Sequence, residues 1–315
     1  MVHAAVALHV PDLLADGPLS AAEVAERTGL DPDRARRLLR GLVALGVVSE
    51  VEGKYANTEV GDVFREGVRE SRRALAMMHF PHSYRAWEHF VETLRTGATG
   101  HSLAYGGTLW DTIAADPDFA LRFNESMAAN SRAAGMFVAS AGNFAGAGTV
   151  VDVGGGKGAL LAAVLRAHPQ PRGIVCDLAA GLGEAPAYLA AQGVLDRCEI
   201  VEADFFKAVP GGDVYLLKDI LHDWGDVDAV RILGVCRAAM HAEARVLIVE
   251  RVLPEHFDDD PAKLNPVMTD LHMMVLFGGR ERTPDEYAAL FSAAGLRLTR
   301  VERGDPYGIV EAAAS

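Results

Sequence analysis

Cysteine is scarce in this sequence: three residues among 315, Cys176, Cys198 and Cys236, stand far apart with no C-x-x-C pair. Such an odd, scattered set excludes a disulfide framework and a zinc knuckle, and it fits a reducing, cytoplasmic setting. Long apolar runs are missing too. No stretch reaches the ~18 residues that span a bilayer, and no basic segment followed by an apolar core opens the chain, so neither a membrane partner nor export is expected. Positive charge is in deficit, with 30 Lys and Arg against 43 Asp and Glu, a net charge of −13. That balance repels a phosphate backbone over most of the surface and argues against nucleic acid as a partner. What the chain does have is apolar residues over 50% of its length, enough for a packed core. Its length accommodates about two domains of ~150 residues each.

From Leu19 to Thr58 the pattern predicts a short helix, a turn at Gly29, a second helix, and two short strands joined near Gly53 and Lys54, a winged-helix outline. Asp31 is placed to cap the second helix, Pro32 to occupy its first turn, and Gly46 to stop it. Ala35, Leu38, Leu39, Leu42 and Leu45 recur at three and four residues, which predicts one buried face. Arg34, Arg36, Arg37 and Arg40 fall on the other face. They read as a solvated helix surface offset by neighbouring acids, with a DNA-recognition helix as the alternative.

Residues 68 to 145 read as mainly helical and rich in Met and aromatic residues, with glycines clustered in "TGATGHSLAYGGT" as a joint. Met and aromatic side chains at helical spacing pack cores, and collectively they also suit the wall of a pocket for a flat apolar ligand. The pair His79 and His82 has no convincing further ligands nearby, so no metal site is expected.

From Thr149 onward apolar strands alternate with helices, the pattern of an α/β domain with a mostly parallel sheet covered on both faces. Ligands of such sheets sit beyond the carboxyl ends of the strands. The first of these ends is the glycine turn in "VVDVGGGKG". Gly154, Gly156 and Ala159 satisfy a relaxed dinucleotide fingerprint, with Asp177 near the offset of a ribose-binding acid. Asp152, Gly154, Gly156 and Gly158 equally satisfy D-x-G-x-G-x-G, the turn that approaches the amino-acid part of S-adenosylmethionine. The turn alone does not choose between the two.

The later strand ends do. "EADFF" offers Asp204 to an adenine amino group and Phe205 to its ring, and "LLKDILHDW" sets a histidine at the mouth of the site. Together "VVDVGGGKG", "CDL", "EADFF", "LLKDILHDW", "VLIVERVLP" and "GGRERT" resemble the successive motifs of S-adenosylmethionine-dependent O-methyltransferases of the plant caffeate and bacterial polyketide-tailoring type. The resemblance runs nearly end to end. It departs at Ala179 and Ala203, where that family usually has proline and glycine.

The resemblance implies a Rossmann-like class I methyltransferase domain with a mostly parallel seven-stranded sheet, preceded by a mainly helical winged-helix-like domain. Residues 1–100 would form the dimerisation and substrate-lid domain and 101–315 the S-adenosylmethionine-binding domain, in a homodimer. Asp152, Gly154 and Gly156 would hold the methionine portion and Asp177 the ribose, with Leu178 beside it. Asp204, Phe205 and Phe206 would hold the adenine, and Lys218 would close over the cofactor. His222 would be the general base, flanked by Glu250 and Glu281. Trp87, Phe123, Met127, Asn130, Asp223, Asp270, Met273 and Met274 are candidates to line the pocket of a small aromatic acceptor. Asp223 also reads as a local cap rather than a second base.

These residue types suit the chemistry. A phenol with pKa near ~10 is mostly neutral at pH 7, so a base that titrates near ~6.5 raises its reactivity. A carboxylate on the far ring nitrogen fixes the tautomer and stabilises the imidazolium. Two other classes stay open: a winged-helix regulator that senses a nucleotide-like ligand, and an enzyme of the same fold that methylates nitrogen or performs non-methylating chemistry. A nicotinamide dehydrogenase would need a hydride-site pair such as Tyr-x-x-x-Lys beside the turn.

Overall fold

In the computed structural model of the chain, which describes residues 1–68, 71–78, 82–257 and 264–315, Ser20 and Glu23 satisfy each other's backbone amides and start the helix Ala21–Thr28. His79 lies outside the described residues. Gly29, at φ 70°, ends that helix in a conformation that costs glycine little. The next helix, Pro32–Ala44, is capped by the Asp31 carboxylate, which accepts from the amides of Asp33 and Arg34. Ala35, Leu39 and Leu42 are fully buried on its inner face and Leu38 partly so. Leu45 departs from expectation and is 49% exposed. Ten residues beyond Ala35 at ~100° each, it has rotated by ~80° off the buried face, and it caps the helix instead of extending it. Arg34, Arg36, Arg37 and Arg40 are exposed, with Arg36 3.2 Å from Asp33.

Strands β2 (Val48–Val51) and β3 (Lys54–Asn57) form a hairpin whose two-residue turn, Glu52 and Gly53, takes φ of 53° and 76°. Positive φ at both positions matches the twist of the hairpin. Strand β1 (Leu19–Ser20) pairs with the free edge of β3, a third strand too short to announce itself in sequence. Val24, Leu39, Leu42, Val48 and Tyr55 form the core beneath.

The chain divides into two compact units, Met1–Tyr84 with Ile113–Ala129, and Arg85–Thr112 with Asn130–Ser315. The small sheet belongs to the first. The second holds a seven-stranded sheet of β4 (Thr149–Val153), β5 (Arg172–Asp177), β6 (Cys198–Glu202), β7 (Val214–Lys218), β8 (Arg245–Glu250), β9 (Leu296–Glu302) and β10 (Gly308–Ala314). Their spatial order is β6-β5-β4-β7-β8-β10-β9, parallel except for β10, which runs antiparallel to both neighbours. Alternate strand residues enter different cores. Val150, Val175, Leu216 and Val249 meet the helices Ala159–Ala167 and Ala185–Ala191, while Val151, Cys176, Leu217 and Ile248 meet Asp226–Ala239 and Pro284–Ala293. Burial on both faces explains why these strands read as continuous apolar runs.

Chain order reverses at β4: β5 and β6 build outward on one side, and β7 returns to the other. The crevice beyond the carboxyl ends of β4 and β7 is therefore where a ligand fits. Gly97 and Gly106, in the glycine cluster, take φ of 74° and 80° and cap the helices Phe90–Thr96 and Gly100–Tyr105. Among the described residues no helix is long and apolar enough to cross a membrane, and all three cysteines are unpaired.

Candidate active site

The turn after β4 winds through left-handed glycines, Gly154 at φ 66°, Gly156 at 54° and Gly158 at 77°. Gly154 donates its amide to the Cys176 carbonyl at 2.8 Å, which ties the turn to the end of β5. A Cβ on Gly156 would meet nothing within 4 Å, so this part of the turn faces open space. At the end of β5, Asp177 accepts from the amides of Gly156 at 2.8 Å and Leu178 at 2.7 Å, one with each carboxylate oxygen. Both oxygens keep a lone pair for a neighbouring diol. Leu178 is exposed beside it. Asp152 is buried against the turn and accepts from Leu161 N. Burial pushes its carboxyl up to about 7. An open amide turn, a buried acid behind it and a second acid at the next strand end fit the amino-acid and ribose portions of S-adenosylmethionine.

After β6, Asp204 Oδ1 accepts from Phe206 N at 2.9 Å and Lys207 lies 2.9 Å from Oδ2, so this carboxylate makes a local turn contact as well. Phe205 and Phe206 pack on Trp224, Phe206 edge-on at 4.7 Å. Lys218 is buried, its ammonium engages Asp219, and it lies 4.7 Å over the Tyr307 ring.

The turn Leu221–Asp223 carries His222, whose Nδ1 lies 3.0 Å from Glu281 Oε1. Its Nε2 lies 3.5 Å from Asp223 Oδ1. Glu250, at the end of β8, does not touch the imidazole: Oε1 accepts from the amides of Ile220 and His222 at 3.1 Å each, and Oε2 accepts from the Tyr287 hydroxyl. The two glutamates thus divide the work, Glu281 on the ring and Glu250 on its backbone. Burial alone would push the imidazole pKa down, but the carboxylates of Glu281 and Asp223 overcome it and raise it well above the usual range. Asp270 holds the Glu281 amide at 2.9 Å.

Residues 278–282 clamp this turn. Arg280 N donates to the His222 carbonyl at 2.9 Å. Arg282 is fully buried and donates to the carbonyls of Leu221 at 3.0 Å and Trp224 at 2.8 Å and to Asp226 at 2.9 Å. Nothing in local sequence distinguishes this arginine from a surface one, because its partners lie some 60 residues away in the chain. Arg282→Met would strand two carbonyls, at about 1 to 3 kcal/mol each. A urea titration is expected to show the variant less stable by roughly 3 kcal/mol, where a surface arginine would cost almost nothing.

Asp219, Tyr307 and Arg251 were also not anticipated. Asp219 sits at φ 52°, accepts from Lys218 and from the Tyr307 hydroxyl at 3.0 Å, and has Arg251 at 3.9 Å. Burial would raise its carboxyl, but Lys218, His222 and Arg251 hold it well below the usual carboxylate range. A carboxyl depressed in the folded state contributes stability above the unfolded pKa of ~3.9, and that contribution fades as pH falls below it. Urea midpoints taken between pH 6 and 3 are expected to fall more steeply for the wild type than for Asp219→Asn.

The acceptor candidates are distributed over both units. Phe123 and Met127 belong to the first, on the helix Pro117–Ala141, and Trp87, Asn130, Asp223, Asp270, Met273 and Met274 to the second. Trp87 donates its indole N–H to His272 Nδ1 at 3.1 Å, and Met273, the next residue on the helix Leu264–Leu276, is buried. Among the described residues no group of three or more His, Cys, Asp or Glu is placed to hold a metal ion.

Residues 87–297 match the family model of the O-methyltransferase domain, and residues 1–67 that of the O-methyltransferase dimerisation domain. The chain is 39% identical over 302 residues to the phenazine O-methyltransferase of Lysobacter antibioticus, covering 95% of this chain and 87% of that protein. It is 34% identical over 319 residues to the 8-amino-8-demethylriboflavin N,N-dimethyltransferase of Streptomyces davaonensis, covering 99% and 90%. Among solved structures, it is similar to an O-methyltransferase from neocarzinostatin biosynthesis in complex with S-adenosylmethionine and 2-hydroxy-5-methyl naphthoic acid. The TM-score is 0.84 at 32% identity, covering 100% of this chain and 95% of that one.

Proposed function

The chain belongs to the O-methyltransferase family, and we propose that it transfers the methyl group of S-adenosylmethionine to a hydroxyl oxygen of a small aromatic natural product, with His222 as general base. The observation that carries this reading is the buried His222–Glu281 contact at 3.0 Å, at a strand end facing the switch point of the sheet. Glu281 accepts the Nδ1 hydrogen and stabilises positive charge on the ring, which leaves Nε2 for the acceptor's hydroxyl. Glu250 fixes the backbone that carries the ring.

When bound, S-adenosylmethionine supplies a methyl group on a cationic sulfur. Asp152, Gly154, Gly156, Asp177 and Leu178 would hold it from the ends of β4 and β5, and Asp204, Phe205 and Phe206 from the end of β6. Trp87, Asn130, Asp270, Met273 and Met274 of the second unit would shape the acceptor pocket and keep water out, Asp223 would face the acceptor beside His222, and Phe123 and Met127 of the first unit are further acceptor candidates. We assign dimerisation and the lid to residues 1–100 and cofactor binding to 101–315, in a cytoplasmic homodimer. Light scattering during size-exclusion chromatography tests the dimer, and a monomer would overturn that part.

Calorimetric titration tests the cofactor. S-adenosylmethionine is expected to bind and NAD not to, with Asp177→Asn weakening the former at least tenfold; preference for NAD would remove the reading. A second reading, transfer to an amine, is favoured by the likeness to the N,N-dimethyltransferase. A neutral arylamine attacks before it loses its proton, so His222→Ala would then leave most of kcat intact.

A further inference from the structure

The cations around the His222 turn differ in what holds them. Lys218 is bonded to Asp219, Arg280 to Glu286, and Arg282 to Asp226 and two carbonyls. Arg251 is held otherwise. It follows Glu250 at the end of β8, its Cζ lies 4.9 Å from the centre of the Tyr307 ring, and Asp219 Oδ1 stands 3.9 Å from Nη1, beyond hydrogen-bond distance. Asp219 is already bonded to Lys218 and Tyr307 through Oδ2, so among the described residues the guanidinium has no carboxylate in hydrogen-bond contact. Its Nε is enclosed without a hydrogen-bond partner among those residues, and 16% of the side chain is exposed. The edge of the fork that a ligand can reach is the one carrying the two terminal amino groups.

Strand geometry places this fork. Side chains two residues apart share a face of a strand, so Arg251 points the way of Val249, Lys218 the way of Leu216 and Asp152 the way of Val150. Val249, Leu216 and Val150 pack in one core cluster with Tyr307 and with Ala134 and Val138 of the helix Pro117–Ala141. That helix ends beside the start of β8, where Arg245 donates to the Asn143 carbonyl at 3.1 Å, so its earlier turns rise along the strand. From Ala141 back to Asn130 the helix climbs ~17 Å, and from Arg245 to Arg251 the strand climbs ~20 Å. Asn130, one turn before Ala134 on the same helix face, is therefore level with Arg251, and both belong to the second unit. The reacting turn is adjacent, because Glu250, the neighbour of Arg251 in the chain, accepts from the His222 amide.

We infer that Arg251 binds a carboxylate carried on the aromatic ring of the acceptor, so that the substrate is a hydroxylated aromatic acid. The inference deepens the hydroxyl-methylating reading above and rests on it. A guanidinium presents parallel N–H donors at the spacing of the two carboxylate oxygens, and such charge-assisted pairs are short and directional. Stacking on Tyr307 holds the fork in place before a ligand arrives, which removes part of the cost of ordering it. A full negative charge is favoured over a neutral carbonyl, because a mostly buried cation without a contacting anion gains most from a paired one. The carboxylates nearby are engaged elsewhere: Glu250 by backbone amides and Tyr287, Glu281 by the imidazole, Asp219 by Lys218. A ring carboxylate fixed here sets how the acceptor is turned in its pocket, and with that which hydroxyl stands at His222 Nε2 in line for transfer. The site of methylation then follows from charge as well as from apolar contact.

Calorimetric titration of the protein saturated with S-adenosylhomocysteine tests this without turnover. The probes are hydroxynaphthoates with the carboxylate beside or across from the hydroxyl, their methyl esters, and naphthol. At least one acid is expected to bind about tenfold or more tightly than its ester, the size of a hydrogen bond to a charged group. Arg251→Gln is expected to remove that gap and leave the affinities for ester and naphthol within a few-fold, which also shows that the variant is folded. Arg251→Lys, charged but without the fork, is expected to keep part of the gap. In turnover, Arg251→Gln is expected to raise KM for the acid and leave kcat within a few-fold. Acids that bind no more tightly than their esters, or a gap that survives Arg251→Gln, overturn the inference. If the gap depends on Arg251 but no oxygen is methylated, the hydroxyl-methylating reading fails and Arg251 remains a carboxylate site.

Discussion

His222→Ala is expected to lower kcat by roughly 10²- to 10⁴-fold, the range that a positioned general base contributes. The dissociation constant for S-adenosylmethionine is expected to stay within a few-fold of the wild type. The separation follows from where the groups stand: the glycine turn and Asp177 are tied to each other through Gly156 N, without the imidazole. Loss of the ring leaves Glu281 buried without its partner, so the variant also loses some stability, most at high pH where that carboxyl must ionise. Paired measurements of kcat and cofactor affinity separate the roles. A structural histidine would cost stability and leave kcat of the folded fraction unchanged.

The second large effect is expected at a position with no chemistry of its own. A Cβ on Gly279 would stand 2.0 Å from the His222 carbonyl oxygen, 2.4 Å from the Asp223 carbonyl carbon and 2.7 Å from Trp224 N. These are backbone atoms of the turn that carries the base, so no rotamer change relieves the clash. Gly279→Ala must move either the turn or the clamp. A displacement of ~1 Å is worth ~100-fold in rate, and forced overpacking costs about 1 to 3 kcal/mol. We therefore expect kcat to fall about 100-fold with KM much less affected. Gly234→Ala is the control. It lies in the helix Asp226–Ala239, where an added Cβ meets nothing within 4 Å, and there alanine is expected to stabilise by up to ~1 kcal/mol. Equal kcat in the two variants would remove the clamp from the account.

Features set by local periodicity or capping were readable in the sequence. The parallel strands announced themselves as short apolar runs because both faces are covered, and Asp31, Gly29 and Gly46 marked helix ends through chemistry confined to a few residues. Leu45 misled because heptad-like spacing continues for one residue after the helix has stopped. The insertion of β10 between β8 and β9 was not visible, since strand order depends on where a chain returns and not on its local pattern. The site divides in the same way. His222, Glu250 and Glu281 stood out because they close recognisable motifs, and the structure brings both glutamates onto the turn that carries His222. Arg282 and Asp219 owe their roles to partners distant in sequence or to burial, and a charged residue beside a motif looks the same whether exposed or enclosed. Lys218 was recognisable as part of a motif, while its contacts with Asp219 and the Tyr307 ring were not.

Mass spectrometry of hydroxylated aromatic acceptors incubated with S-adenosylmethionine bearing an isotopically labelled methyl group tests the central claim most directly. The account predicts a labelled methyl ether on an aromatic oxygen, formed by the wild type and reduced at least 100-fold by His222→Ala. Label found on nitrogen, or a methyl ether formed equally well without His222, would contradict it.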